Sequence, residues 1–532
     1  MPNFSEFKKN WKFDLNAGFA LFLIAVPLSV GIAIASGAPP SSGLIAAIIG
    51  GILGSLLGGG KVNINGPAAG LIVIVLSSIQ LLGKGDPALG LKYTFAVIVV
   101  AGILQICFGL LGWARLGLAF PSSVIHGMLT AIGMIILIKQ IYVGLGVTPT
   151  AKSIFGLLFE IPQSLKKLNP SATAIALSTI FSLLGFQKLQ TLSQFKSLKL
   201  IPAPLFAVFA GILTAHLLDS NIFHLINLPN GTLETNTIQF LQVPKNIFSN
   251  FIYPDFTQIL SIDSWRMIFS FALVASLEST LSCYAVDKLD PSKNQSNLNR
   301  DLWSKGICNI LCGFIGGLPI ITEIVRSSAN ISNGAKSPYA NFFHGIFVLA
   351  FSIFFPWMLN RIPLASLAAL LIVVGWRLAH PSQFKHAFKI GPDHILAFAV
   401  TLIMTLMVDL LVGIFCGLMV EFVIALFMGV KLKNLFKPTI KTRKASDKQI
   451  IESHSPVIFS NSLTLRAHML DFLESNNNVT VDLSRAEFID HTVMDQLDSI
   501  ADGFRERGLD FKVITSPQHR TFSDHALASR KI

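Results

Sequence analysis

The sequence predicts a polytopic α-helical membrane protein followed by a small α/β domain, on three observations. Hydrophobic residues make up 52% of the 532 and charged residues only 13%. That is about half the charged share of a soluble globular protein, so most of the surface faces something other than water. Apolar runs long enough to approach the roughly 20 residues of a membrane span recur along the chain. After Lys431 the pattern changes to short β-rich runs alternating with amphipathic helical ones.

The runs begin near Ala17, Tyr93, Val124, Ser171, Ile201, Met267, Asn341 and His394, with shorter or glycine-interrupted ones near Gly43, Gly66, Leu302, Ile324 and Leu364. The last long run holds two helices joined by a tight turn around Asp409. The expected total is about fourteen spans. An even count places both termini on one side. Basic residues at Lys8, Lys9 and Lys12, from Lys188 to Lys199, and after Lys431 mark that side as cytoplasmic. The segment from Asp219 to Asp263 carries Asp219, Glu234, Asp255 and Asp263 against Lys245, as an external loop would. The net charge of +12 therefore suits a lipid bilayer and no nucleic acid.

The expected organisation is a cytoplasmic segment 1–14, a membrane domain 15–430, a basic linker 431–446 and an α/β domain 447–532. The amino-terminal MPNFSEFKKNWKFDL is polar for too long to be a signal peptide. The recurring apolar runs make a multi-pass protein, expected in the cell (inner) membrane. The cysteines at 107, 283, 308, 312 and 416 lie in apolar runs with no metal or disulfide spacing. No metal site, cofactor or soluble-enzyme constellation is expected.

Two short segments break the membrane pattern. In VNINGPAAGLIVIVLSSIQ, residues 62–80, an extended piece precedes Gly66-Pro67, where a short helix is expected to start. GLPIITEIVRSSANISNGAKSP, residues 317–338, has the same grammar, with a helix expected from Ile324. A half-helix that begins at mid-membrane has first N–H groups in need of an acceptor. An anion supplies one, favoured by the helix dipole, and transporters built on inverted repeats face two such half-helices across the substrate. Arg326, in the first turn of the second half-helix, adds a cation there, and Glu323 offsets it. A plainer reading is a structural i,i+3 pair that locks the helix start; the two are compatible.

Glu278 and Ser282 share one face of the apolar FALVASLESTLSCYAVDKLD segment. Desolvation penalises a charged acid there, so Glu278 is a candidate proton carrier or cation ligand, or else a hydrogen-bonded structural acid. Asp409, Glu421, His126 and His344 read as structural.

At this point the residues resemble a known family. AVPLSVGIAIASGAPPSSGLIAAIIGGILGSLLGG with NINGPAAG, and GLPIITEIVRSSANISNGAKS, resemble SulP-type inorganic anion transporters. NVTVDLSRAEFIDHTVMDQL resembles a STAS domain. The resemblance covers nearly the whole chain. It implies fourteen spans in a 7+7 inverted repeat of uracil-permease type, with a core moving against a gate, a cytoplasmic STAS domain, and a homodimer. It implies an anion between the half-helix starts, contacted by Gly66, Pro67, Ala68 and Ala69 on one side and by Ile324, Val325, Arg326 and Ser327 on the other. The coupling cation, Na+ or H+, would belong to Glu278, Ser282, Thr322 and Glu323.

Pro27 is followed by Leu28, where many sulfate-transporting members have glutamine. One polar ligand is thus missing, which favours bicarbonate over sulfate. The family's bicarbonate transporters also lack that glutamine; they have aspartate at the place of Glu278 and use sodium, so glutamate here leaves proton coupling equally open. Thr492 stands where related STAS domains can be phosphorylated, but His491 and Val493 replace the usual small neighbours, so packing and dimerisation suit this domain better. The expected function is secondary active transport. An exchanger or passive channel on the same scaffold, and a membrane-anchored signalling protein, are the alternatives.

Overall fold

The computed structural model describes residues 4–117, 119–151, 153–192, 201–219, 238–242, 251–292, 294–445 and 448–532. Most of the acidic segment between Asp219 and Asp263, and residues 193–200 of the second basic cluster, lie outside the described residues. The chain forms two compact units, Met1–Ala114 with Ile132–Arg377, and Arg115–Ala131 with Leu378–Ile532.

Among the described residues, eight helices are long and apolar enough to cross a membrane. Four shorter apolar helices accompany them, Ala69–Gly83, Ala203–Leu218, Tyr339–Phe354 and Pro392–Met407. The first helix, Phe4–Ala35, takes in the polar amino-terminal residues and carries Pro27 in its interior. Lipid tails are as apolar as leucine, so helices in a bilayer associate through close van der Waals contact at small residues. The Pro87–Leu110 and Leu298–Ile315 helices follow this rule. A Cβ on Gly102 would lie 2.7 Å from the Gly306 carbonyl, and one on Gly306 would lie 2.5 Å from that of Gly102.

Two three-residue strands cross within the first unit. β1 (Asn65–Pro67) pairs antiparallel with β2 (Ile320–Thr322), with Gly66 opposite Ile321. Gly66 and Pro67 are thus strand residues and not the start of a helix, which corrects the expectation from the Gly-Pro pair. Ala68 is still extended, a 3₁₀ turn covers Ala69–Leu71, and the α-helix runs Ile72–Gly83. Strand pairing supplies partners for backbone groups buried away from water, and Pro67, lacking an N–H, is tolerated at the strand's end. The second half-helix, Ile324–Ser332, starts where the sequence places it.

In the second unit, Pro392–Met407 and Leu410–Phe427 form the expected helix pair, and Asp409 caps the latter by accepting from the Val412 N–H at 2.8 Å. The carboxyl-terminal domain has a sheet of four strands, β3 (Ile440–Ala445), β4 (Lys448–Ser453), β5 (Asn478–Asp482) and β6 (Phe511–Ile514). β3 pairs antiparallel with β4 and so brings residues read as linker into the sheet; the β4–β5 and β5–β6 pairs are parallel. Parallel neighbours need crossover connections, here through helices Ser462–Glu474 and His491–Glu506. The latter buries Val493, Leu497, Ile500 and Phe504 against Val479 and Val481.

Candidate anion site

Both interrupted segments meet at the strand crossing. Ser327 ties them together: its Oγ accepts from the Ile64 N–H at 2.9 Å and donates to the Glu323 carbonyl at 2.6 Å. The Glu323 N–H donates back to the Ile64 carbonyl at 2.8 Å, and Asn330 Nδ2 reaches the Val62 carbonyl at 2.9 Å. The Ser327 hydroxyl is therefore already engaged as a brace between the segments.

Arg326 is 1% exposed, and its Nε lies 3.0 Å from Glu323 Oε2. Among the described residues its Nη1 and Nη2 have no hydrogen-bond partner, and neither does Glu323 Oε1. A buried guanidinium with free N–H groups is costly unless something accepts from it. Gly66 leaves the room this needs, since a Cβ there would sit 2.7 Å from Nη1 and 2.8 Å from Glu323 Oε1. Ile324 and Val325 are 40% and 64% exposed and open the second half-helix, where first-turn backbone N–H groups are the kind of donor an anion accepts from.

Glu278, in the Ile262–Leu289 helix, presses against the first half-helix. A Cβ on Gly70 would lie 1.9 Å from its Oε1, an atom with no hydrogen-bond partner among the described residues. Gly70→Ala is therefore expected to displace the Glu278 carboxylate and to destabilise the protein by about 1–3 kcal/mol through overpacking. Thermal unfolding of the variant beside the wild type checks this. Ser282 lies one turn after Glu278 on the same helix.

Thr322 joins Glu278's neighbour to the crossing. Its N–H donates to Ser279 Oγ at 3.2 Å, and its Oγ1 lies 3.2 Å from Asn65 Oδ1 and 3.0 Å from Asp301 Oδ2. Asp301 also accepts from Ser279 Oγ at 3.1 Å and from Lys305 Nζ at 2.7 Å, all of it buried. Asn309 braces β2 by accepting from the Ile320 N–H at 2.6 Å and donating to its carbonyl at 3.2 Å. The sequence reading passed over Asp301, Lys305 and Asn309. Two opposite charges at i,i+4, Asp301 and Lys305, just ahead of an apolar run were the available signal.

Thr492 lies elsewhere, in the second unit. It is 7% exposed, and its Oγ1 accepts from the Ser122 N–H at 3.3 Å. Among the described residues no group of three or more His, Cys, Asp and Glu is placed to hold a metal ion.

Residues 11–401 match the sulfate permease family and residues 439–521 match the STAS domain. A putative sulfate transporter, YvdB, of Bacillus subtilis (strain 168) is 28% identical over 482 residues, covering 89% of this chain and 84% of that protein. The bicarbonate transporter BicA of Picosynechococcus sp. is 26% identical over 447 residues, 83% of this chain and 74% of that protein. The solved transmembrane domain of a cyanobacterial BicA superposes with a TM-score of 0.62 at 25% identity, covering 77% of this chain and 97% of that one. Murine Slc26a9, an anion transporter solved in its inward-facing state, superposes with a TM-score of 0.68 at 17% identity, covering 94% and 85%.

Proposed function

The chain belongs to the sulfate permease family, and on that premise we propose that it is a secondary active transporter of a small inorganic oxyanion, bicarbonate first and sulfate second. Anion transport across a membrane follows from the family; the substrate and the coupling are our reading. The anion sits between the half-helix starts, and Na+ or H+ is held by Glu278 with Ser282, Thr322 and Glu323. The core moves against the gate to expose the site alternately, in a homodimer with both termini and the STAS domain in the cytoplasm.

One observation carries this reading: a buried arginine whose two terminal nitrogens lack acceptors among the described residues, at the crossing of two broken segments. An oxyanion supplies planar acceptors for such a fork. The choice of bicarbonate rests on Leu28 after Pro27, which offers no polar contact to a doubly charged anion.

Uptake of labelled bicarbonate, sulfate and chloride into proteoliposomes, under imposed sodium or pH gradients, tests the proposal. Bicarbonate uptake is expected to rise with one of the two gradients and to exceed sulfate uptake. Flux that ignores both gradients would mean a channel or an exchanger.

A further inference from the structure

The second unit holds a pocket that the anion site does not use. Asp393 and His394 open the Pro392–Met407 helix, Glu421 comes from Leu410–Phe427, and Asp490, His491 and Thr492 come from the start of the His491–Glu506 helix. Three carboxyl groups thus meet where the carboxyl-terminal domain seats on the apolar helices, with no lysine or arginine lining the pocket. Glu421 accepts from Ser123 Oγ, Asp393 from Ser529 Oγ, and Asp490 from the Val493 and Phe459 N–H groups. Asp393 Oδ1 has no hydrogen-bond partner among the described residues, and neither does His394 Nε2 on a ring only 2% exposed.

The histidines form a chain through the same junction. The His394 ring stands edge-on to His491 with centroids 4.7 Å apart, and His126 lies 6.1 Å from His394 and 6.0 Å from His386. His386 in turn lies 5.7 Å from His525. His491 Nδ1 lies 2.7 Å from the Leu527 carbonyl; that contact requires a proton on Nδ1 and leaves Nε2 of the neutral ring as an acceptor. Asp495 and Lys389 complete the charged surroundings.

We propose that this pocket is a proton-binding site, and that the carboxyl-terminal domain stays seated only while at least one proton is held among Asp393, His394, Glu421 and Asp490. Three ionised carboxylates lining one pocket repel each other, and among the described residues neither a lysine or arginine in its lining nor a metal-type ligand set offsets them. Burial pushes the Asp490 carboxyl up to about 7, against the pull of its two N–H donors and with a further push from Asp393. A separated Asp490 is ionised well below that. The seated form therefore carries more protons than the separated one above neutral pH, and raising the pH favours separation. Below about 6.5 the buried His491, whose imidazole desolvation holds below its ordinary value, acts in the opposite sense, so the carboxyl effect stands alone above that value. The inference does not depend on which anion is carried.

The test uses the full chain in lipid nanodiscs, with Cys107 and Cys416 replaced by alanine and spin labels on the exposed positions of Lys385→Cys and Asp498→Cys. Pulsed dipolar spectroscopy reads their separation from pH 6.5 to 8.5. The expected result is one distance at pH 6.5 and a second, longer one at pH 8.5. Their ratio should change by about tenfold per pH unit for each proton held. Glu421→Gln and Asp393→Asn, each fixing a neutral isostere, should keep the first distance across the range. An unchanged wild-type distribution would overturn the proposal. So would variants that follow the wild-type pH response.

Discussion

Replacing Glu278 with glutamine is expected to leave anion uptake indifferent to an imposed sodium or proton gradient. A tenfold ion gradient supplies about 1.4 kcal/mol per coupled ion, so coupled uptake by the wild type should shift its accumulation ratio up to about tenfold. Glutamine keeps the size and removes both the charge and the titratable proton. The carboxylate it replaces lies against Gly70 at the start of the first half-helix, and its Oε1 is free of hydrogen bonds among the described residues. Nothing in the local packing therefore requires the charge, and the variant should insert and fold. Paired measurements of gradient-driven and downhill uptake check the outcome. A variant that keeps its full gradient dependence removes Glu278 from the coupling site.

Arg326→Ala has two separable consequences. Loss of charge-assisted hydrogen bonds, at about 1.5–3 kcal/mol, weakens anion binding by roughly 10- to 150-fold. Breaking a buried ion pair also leaves Glu323 uncompensated, at about 3–5 kcal/mol of stability. The double variant Arg326→Ala with Glu323→Gln removes the stranded charge. Its thermal midpoint should recover towards that of the wild type while anion affinity stays low. Recovery of both together would leave Arg326 and Glu323 as a structural pair alone. Anion titration by calorimetry alongside thermal unfolding separates the cases.

The residues of the candidate site are conspicuous in the sequence because polar groups stand out among apolar runs. Arg326, Glu323 and Glu278 stand out in apolar surroundings, and a helix too short to span needs a reason to stop at mid-depth. The start of the first half-helix was misplaced by three residues because Gly66-Pro67 fits a helix start as well as a strand end. Only its partner, Ile320–Thr322, more than 250 residues away in sequence, decides between them. Ser327 stands among the expected anion contacts; that its hydroxyl also bridges Ile64 and Glu323 is announced by no local pattern.

The same limit applies to the brace behind the site. Asp301 gathers Lys305, Ser279 and Thr322 from three elements, while the sequence displays only the i,i+4 pair. Gly70 is similar: its need to be glycine comes from Glu278 approaching it, which periodicity cannot encode. In the carboxyl-terminal domain the helix period predicted Val493, Leu497, Ile500 and Phe504 as core, and all four are buried. In Ile440–Ala445 the basic residues mask the strand alternation and resemble a linker; pairing with Lys448–Ser453 places the segment in the sheet.

The central claim is that the substrate lies between two half-helix starts at the strand crossing. Cryo-electron microscopy of the purified protein, saturated with the anion it takes up, tests this most directly. Density is expected within hydrogen-bond reach of the Arg326 guanidinium and of the backbone at Ala69 and Val325. Substrate density at any other place in the chain, with the crossing empty, would contradict the account.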